Sequence, residues 1–185
     1  MIMTALSCFK ILTMHLIILA GGLATRLRPF SEKTPKALIN IAGKPFIFWQ
    51  LKILKTQGIK KILICCGYLG EIIKDKVGDG KRFGLDITYS FDGPFLLGTG
   101  GAIKNALNML PDYFMVMYGD TILSVDFEQI QNNFHLLKTQ NLMVVLKNNN
   151  AWAPSNVICE NSKIINYSNK NDIKANYIDY GLSIY

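Results

Sequence analysis

The sequence has 185 residues and a formal net charge of +7; half of its residues are apolar and 18% are charged. This length and composition predict one domain with a substantial core, and they exclude an intrinsically disordered chain. The positive charge favours an anionic partner, such as a nucleic acid, a nucleotide or a sugar phosphate. Because the lysines are spread along the chain and no known nucleic-acid-binding motif is present, we expect a small anion and no nucleic acid.

The N-terminal segment and the cysteines indicate the cellular compartment in which the protein is expected to act. Residues 1–13 are interpreted as an N-terminal extension, since they lack the positively charged start of a signal peptide. The apolar run Ile11–Ala20 is too short to span a bilayer, so we expect no membrane association. The cysteines show no Cys-x-x-Cys spacing, which argues against a zinc site or a disulfide framework and indicates a reducing cytoplasm. They are Cys8, Cys65, Cys66 and Cys159.

The first motif joins a strand, a glycine turn and a group of cations. Leu16–Ala20 is a short apolar run, typical of a buried strand in a parallel sheet, and Gly21-Gly22 ends it. Glycines there leave backbone N–H groups free to face a ligand. Since α/β sheets bind ligands at this edge, the motif indicates polyphosphate binding, although glycines and cations alone favour an ordinary turn. The cations that follow are Arg26, Arg28, Lys33 and Lys36.

Strands and helices are predicted to alternate along the rest of the chain. This alternation predicts a three-layer α/β fold with a mixed, mostly parallel, Rossmann-like sheet and a small β-excursion near residues 157–180. Further strands are predicted over Ile62–Cys66, Leu85–Ser90, Phe114–Tyr118 and Leu142–Leu146, with a hairpin at Val157–Cys159 and Lys163–Tyr167. Helices are predicted over Phe46–Gln57, Glu71–Val77, Leu97–Met109 and Asp126–Lys138.

Three more strand or helix ends carry residues suited to a phosphate ligand. Gly67–Gly70 is a second glycine turn, and Leu97–Gly101 opens a helix whose N–H groups and positive dipole end suit an anion. An ordinary helix entry accounts for the latter equally well. Asp120 follows the strand Phe114–Tyr118 directly after a glycine. An isolated aspartate there is more often a turn cap, whereas a triphosphate substrate brings Mg²⁺, which prefers carboxylate oxygens.

The segment Gly21-Gly22-Leu23-Ala24-Thr25-Arg26, followed by Pro35-Lys36, resembles the signature of the sugar-1-phosphate nucleotidylyltransferases, or nucleotide-sugar pyrophosphorylases. Ala24 stands where that family usually has glycine or serine. The resemblance runs in order over residues 14–185, as one nucleotidyltransferase domain. It implies the nucleotide-diphospho-sugar transferase fold. It also implies transfer of a nucleoside monophosphate from an NTP to a sugar 1-phosphate, with release of pyrophosphate, for cell-envelope polysaccharides.

The resemblance also implies roles for individual residues. Arg26 would contact the pyrophosphate-side oxygens, Lys36 the α-phosphate, Asp120 the Mg²⁺ ion and Lys170 the sugar phosphate. The implied nucleotide-binding positions are Leu19, Ala20, Gly21, Gly22, Gly67, Gly98 and Thr99. The implied sugar-phosphate positions are Tyr118, which replaces the usual asparagine, together with Lys170 and Gly181.

The sequence leaves several alternatives open. The family's chain normally continues with elements that carry a second metal-binding aspartate, so we expect a fragment, a truncated product or another residue that completes the metal site. A nucleotide-sugar-binding or regulatory module without turnover, and a cytidylyltransferase acting on an alcohol phosphate, also remain possible functions. The branches making GDP-heptose and UDP-N-acetylmuramic acid are the most similar. We expect GTP with a heptose or hexose 1-phosphate, and a homo-oligomer is compatible with this assignment.

Overall fold

The computed structural model describes residues 14–23, 33–168 and 174–185, over which ten strands alternate with four α-helices. The strands are β1 (His15–Leu19), β2 (Asn40–Ile41), β3 (Lys44–Pro45), β4 (Lys61–Cys66), β5 (Asp86–Phe91), β6 (Phe114–Tyr118), β7 (Leu142–Lys147), β8 (Val157–Glu160), β9 (Lys163–Tyr167) and β10 (Tyr177–Ile184). The helices are α1 (Phe46–Thr56), α2 (Gly70–Val77), α3 (Gly98–Ala106) and α4 (Phe127–Leu137). Within the described ranges, every helix is too short or too polar to cross a bilayer.

Eight of the strands form one mixed sheet, in the order β5-β4-β1-β6-β10-β8-β9, and β7 pairs with β10 beside this path. The strands β5, β4, β1 and β6 are parallel, whereas β10 runs antiparallel to β6, β7 and β8. It follows that β7 and β8 run in the same direction as β6. The remaining two strands, β2 and β3, form a separate hairpin. The predicted mixed sheet is confirmed, with three parallel and four antiparallel strand pairings.

Strand β1 lies inside the sheet, between β4 and β6, and carries apolar side chains on both of its faces. Leu16 and Ile18 pack into the core under α1, α2 and α4, and Ile17 packs into a second core under α3. All three side chains are fully buried. A strand buried on both faces needs an unbroken apolar sequence, which is what this segment has. Helices on both faces of the sheet complete the predicted three-layer arrangement.

Strand β10 joins the β8–β9 hairpin of the predicted β-excursion to the parallel strands of the same sheet. The β8–β9 hairpin is present, and Leu182 of β10 pairs with Met117 of β6. This end of β10 enters the core because Leu182 and Ile184 are fully buried. Gly181, with a φ of +87°, lies within an irregularity that redirects the strand, so that its start pairs with β8 and its end with β6.

Shortening one side chain at the centre of β4 tests whether the core lies where the structure places it. We expect Ile64→Ala to lower the free energy of unfolding by about 2–5 kcal/mol, because Ile64 is fully buried and its removal leaves a cavity. The control is Ile165→Ala on β9, where the side chain is 59% exposed and the loss should stay within about 0.5 kcal/mol. Urea denaturation followed by circular dichroism measures both. Similar losses in the two variants would contradict the assigned core.

Candidate active site

A cleft of about 600 Å³ opens at the carboxyl edge of the parallel strands. The ends of β1 and β6, the turn after Pro35 and the start of α3 surround it. The structure therefore brings together most of the residues that the sequence singles out. Those lining the cleft are Leu19, Ala20, Gly21, Gly22, Lys36, Gly98, Thr99, Tyr118 and Asp120.

Backbone-to-backbone contact brings the strand ends this close. The N–H of Gly119 donates to the carbonyl oxygen of Leu19 at 2.9 Å, and the N–H of Ala20 donates to that of Cys65 at 2.8 Å. A Cβ atom on Gly119 would lie only 2.7 Å from the oxygen of Leu19. No side chain fits in that space, so glycine is the residue that lets β6 end against β1.

Two other predicted glycines support the cleft from behind. A Cβ on Gly67 would lie 2.6 Å from the carbonyl oxygen of Gly21 and 2.7 Å from Cδ2 of Leu96. A Cβ on Gly181 would lie 3.2 Å from the ring of Tyr118. Both positions make room for groups that line the cleft, and neither lines it. Arg26 and Lys170 lie outside the described residues.

An ion pair spans the cleft. Nζ of Lys36 lies 2.5 Å from Oδ2 of Asp120, and the two side chains are 44% and 43% exposed. Lys36 begins a 3-10 turn that is anchored by the buried Ala37 and Leu38. Asp120 follows β6, and its Oδ1 accepts a hydrogen bond from Oγ1 of Thr121 at 3.3 Å. Since exposed ion pairs contribute little to stability, the pair matters chiefly as opposite charges held in the cleft.

The donor set of the cleft fits a metal ion that is shared with a polyphosphate. Among the described residues, no three His, Cys, Asp or Glu side chains cluster as a metal cage. Mg²⁺ is commonly held by one or two carboxylates together with substrate phosphates and water. Asp120 supplies one such carboxylate, beside a lysine that can contact phosphate. The residues present therefore fit Mg²⁺ brought in with a nucleotide.

The structure adds cleft residues that the sequence analysis missed. Asp92 directly follows β5; its Oδ2 accepts a hydrogen bond from the N–H of Leu97 at 3.1 Å. The position of Asp92 at a strand end, the criterion that selected Asp120, could have identified it. Burial, and then the charge of Asp92, raise the pKa of Cys65 to about 12, so this thiol is an unreactive part of the wall. The missed lining residues are Leu23, Ala37, Cys65, Asp92, Leu96 and Ala102.

Hydroxyl groups and a carboxylate adjoin the wall formed by Tyr118. Burial, followed by the charge of Asp179, raises the pKa of Tyr118, so its hydroxyl stays protonated at neutral pH. Oδ2 of Asp179 accepts a hydrogen bond from the hydroxyl of Tyr167 at 3.4 Å, and its Oδ1 accepts one from the N–H of Gly181 at 2.8 Å. This part of the molecule can exchange hydrogen bonds with a polyol.

Residues 15–155 match the protein family described as Nucleotidyl transferase. This match covers well over half of the chain, and the chain therefore belongs to that family of enzymes. The predicted family membership is confirmed.

Two relatives of this chain are named for phosphorylated sugars. An N-acetylmuramate alpha-1-phosphate uridylyltransferase from Neisseria meningitidis serogroup B is 42% identical over 115 residues, which cover 62% of this chain and 50% of that protein. A D-glycero-alpha-D-manno-heptose 1-phosphate guanylyltransferase from Aneurinibacillus thermoaerophilus is 32% identical over 92% of this chain and 74% of its own. The match thus spans about half the length of the first relative and about three quarters of the second.

A solved structure agrees with the fold. The crystal structure of HddC from Yersinia pseudotuberculosis complexed with GMP-PN has a TM-score of 0.77 and 27% identity to this chain. The comparison covers 92% of this chain and 76% of that one. The predicted nucleotide-diphospho-sugar transferase type of fold is thereby confirmed.

Replacing Gly67 by alanine adds one carbon behind the cleft and tests whether the shape of the cleft depends on close backbone packing. We expect Gly67→Ala to weaken nucleotide binding about tenfold, because displacing Gly21 and Leu96 costs about 1–3 kcal/mol. Isothermal titration calorimetry with a non-hydrolysable NTP measures the affinity. Gly100→Ala is the control, since a Cβ there meets no atom within 4 Å and alanine favours a helix. Equal affinities in the two variants would refute the role given to Gly67.

Proposed function

We propose that this protein transfers a nucleoside monophosphate from an NTP to a sugar 1-phosphate, forming an NDP-sugar and pyrophosphate. The observation that carries the proposal is the ion pair Lys36–Asp120 held across a cleft with a glycine turn on one side. An oxygen of the sugar phosphate attacks the α-phosphorus, and the bond between that phosphorus and the bridging oxygen to the β-phosphate breaks. Because the acceptor oxygen is already anionic, the step needs neither a general base nor a covalent nucleophile.

The residues of the cleft then act by positioning and by neutralising charge. Lys36 contacts the α-phosphate, and the backbone N–H groups of Gly21 and Gly22 face the phosphate chain. Asp120 holds Mg²⁺, which supplies positive charge to the phosphate oxygens when it is bound. Arg26 on the pyrophosphate side and Lys170 on the sugar phosphate complete the proposal on the basis of the sequence resemblance.

We propose GTP as the donor, because Asp92 presents a carboxylate to the cleft. An ionised carboxylate only accepts hydrogen bonds. Guanine carries two adjacent donors, N1–H and the N2 amino group, which match two carboxylate oxygens. Uracil and thymine offer a single N–H between two carbonyl oxygens, which a carboxylate repels. The backbone N–H groups of Gly98 and Thr99, at the start of α3, can bind other polar atoms of the nucleotide.

We propose an uncharged heptose or hexose as the sugar. The carboxylate of Asp179, close enough to affect the pKa of Tyr118, accepts hydrogen bonds from sugar hydroxyls and repels an acidic substituent such as a lactyl group. The proposed reaction takes place in the cytoplasm, where NTPs are available. It uses neither nucleic acid nor a membrane, and a homo-oligomer is compatible with it.

Removing either charge of the ion pair should slow turnover. We expect Lys36→Ala and Asp120→Asn each to lower kcat by about 10²- to 10³-fold, as the loss of one transition-state contact does elsewhere. Pyrophosphate release measures the rate, and the Mg²⁺ dependence should shift in Asp120→Asn. Lys81→Ala is a matched control, because Lys81 also pairs with an aspartate, Asp79 at 2.8 Å, on the surface. Unchanged turnover in Lys36→Ala would refute the assignment.

A pyrophosphate-release screen of GTP, UTP, dTTP, CTP and ATP against phosphorylated sugars and phosphocholine tests the substrates. We expect the highest kcat/KM with GTP and a neutral sugar 1-phosphate. Asp92→Asn should reduce the preference for GTP over UTP by about tenfold, because the amide presents a donor to guanine.

Each other outcome of the screen selects an alternative. Equal or better turnover with UTP or dTTP would overturn the base assignment and leave the reaction class intact. Turnover of CTP with phosphocholine would identify an alcohol-phosphate cytidylyltransferase. Nucleotide-sugar binding without any turnover would identify a binding module.

A further inference from the structure

Gln50 is a buried polar residue that contacts the turn carrying Asp120. It lies on α1 and is 2% exposed. Its Nε2 donates to the carbonyl oxygen of Tyr118 at 3.2 Å and to that of Thr121 at 2.8 Å. Because a carbonyl oxygen only accepts hydrogen bonds, both contacts require the NH₂ group of the amide at this position. One side chain therefore bridges the two ends of the turn.

The turn relies on this bridge because its own closing hydrogen bond is long. The N–H of Thr121 donates to the carbonyl oxygen of Tyr118 at 3.4 Å, beyond the usual range of about 2.7–3.2 Å. The contact from Gln50 to Thr121 is considerably shorter. The main chain on either side of Asp120 is thus held from α1 as well as from within the turn.

The same helix also holds the segment that carries Lys36. The N–H of Phe46, the first residue of α1, donates to the carbonyl oxygen of Ile39 at 2.9 Å. Ile39 directly follows the 3-10 turn that Lys36 begins. One helix therefore contacts the main chain on both sides of the ion pair Lys36–Asp120.

The carbonyl oxygen of the Gln50 side chain shows that a polar residue at this position lowers the stability of the fold. This oxygen, Oε1, is buried and finds no hydrogen-bond partner among the described residues. A buried acceptor left unpaired lowers the stability of a fold. The neighbouring inward residues of α1, Ile47, Leu51 and Leu54, are apolar and buried. An apolar side chain would suit the packing, so the amide is explained by the two hydrogen bonds that it donates.

We propose that Gln50 is a positioning residue for nucleotidyl transfer, which fixes the Tyr118–Thr121 turn so that the carboxylate of Asp120 faces Lys36. Its catalytic consequence rests on the proposed function. Gln50 does not line the cleft, so it acts through Asp120 and has no contact with substrate.

Gln50→Leu removes both donors at similar volume and tests the proposal. We expect kcat to fall by about 10- to 10²-fold, because small displacements of a reacting group have effects of this size. The Mg²⁺ concentration for half-maximal rate should rise, while KM for the sugar phosphate changes little. Hydrogen exchange of the amides at 119–121 should become faster. Gln50→Met gives the same readouts where the leucine variant does not fold.

Gln131→Leu is the matched control. Gln131 is also a buried glutamine, whose Nε2 donates to the carbonyl oxygen of Phe127 at 3.1 Å and whose Oε1 accepts from the N–H of Met14 at 2.9 Å, away from the cleft. Its loss should lower the thermal midpoint and leave kcat and the Mg²⁺ dependence unchanged. The inference is overturned if Gln50→Leu keeps wild-type kcat and Mg²⁺ dependence, or if Gln131→Leu changes them equally.

The failure of the proposed function would be recognised separately. A wild-type chain without turnover on any substrate pair contradicts that function, and the exchange measurement then decides the role of Gln50. Faster exchange at 119–121 in Gln50→Leu than in Gln131→Leu supports it. Equal exchange in the two variants overturns it.

Discussion

Direct contact between backbone segments at the carboxyl edge of the sheet is the constraint on which the candidate site depends. The N–H of Gly119 bonds to the carbonyl oxygen of Leu19, and Gly67 leaves room for the oxygen of Gly21. Without a Cβ at Gly119 and Gly67, neighbouring strands can end at the same depth and leave one common cleft. The buried side chains of β1 keep these strand ends in register, because they are held on both faces of the sheet.

The charges in the cleft are placed by this arrangement of the backbone. Lys36 comes from a 3-10 turn and Asp120 from the end of β6, 84 residues away in sequence, and the fold brings both to the same cleft. A half-exposed pair of this kind contributes little to folding. In the proposed function the two groups take separate partners, a phosphate for the lysine and a metal ion for the carboxylate.

Sequence patterns predicted the elements well because their signals are local. The strand Phe114–Tyr118 has the predicted bounds, and the glycine turns lie where the apolar runs end. Lys36 and Asp120 were found from a family signature and a strand end. Gln50 could not be found in this way, because its partners lie 68 and 71 residues along the chain and its neighbours on α1 are apolar. A glutamine among apolar residues gives no indication of which carbonyl groups it will reach.

A mechanism that works by positioning charged groups also agrees with the protonation states of Cys65 and Tyr118 in the wall of the cleft. Burial raises the pKa of the Cys65 thiol to about 12 and raises that of the Tyr118 hydroxyl, so both stay protonated at neutral pH and neither supplies a base. A phosphate acceptor needs none, since its attacking oxygen is already ionised. In the proposed reaction no proton is transferred, so the rate is expected to depend on where the charges stand and therefore on the main-chain position of Asp120. The proposed function then predicts that residues which only hold the main chain, such as Gly67 behind Gly21 and Gln50 beneath the Asp120 turn, affect catalysis without contacting substrate.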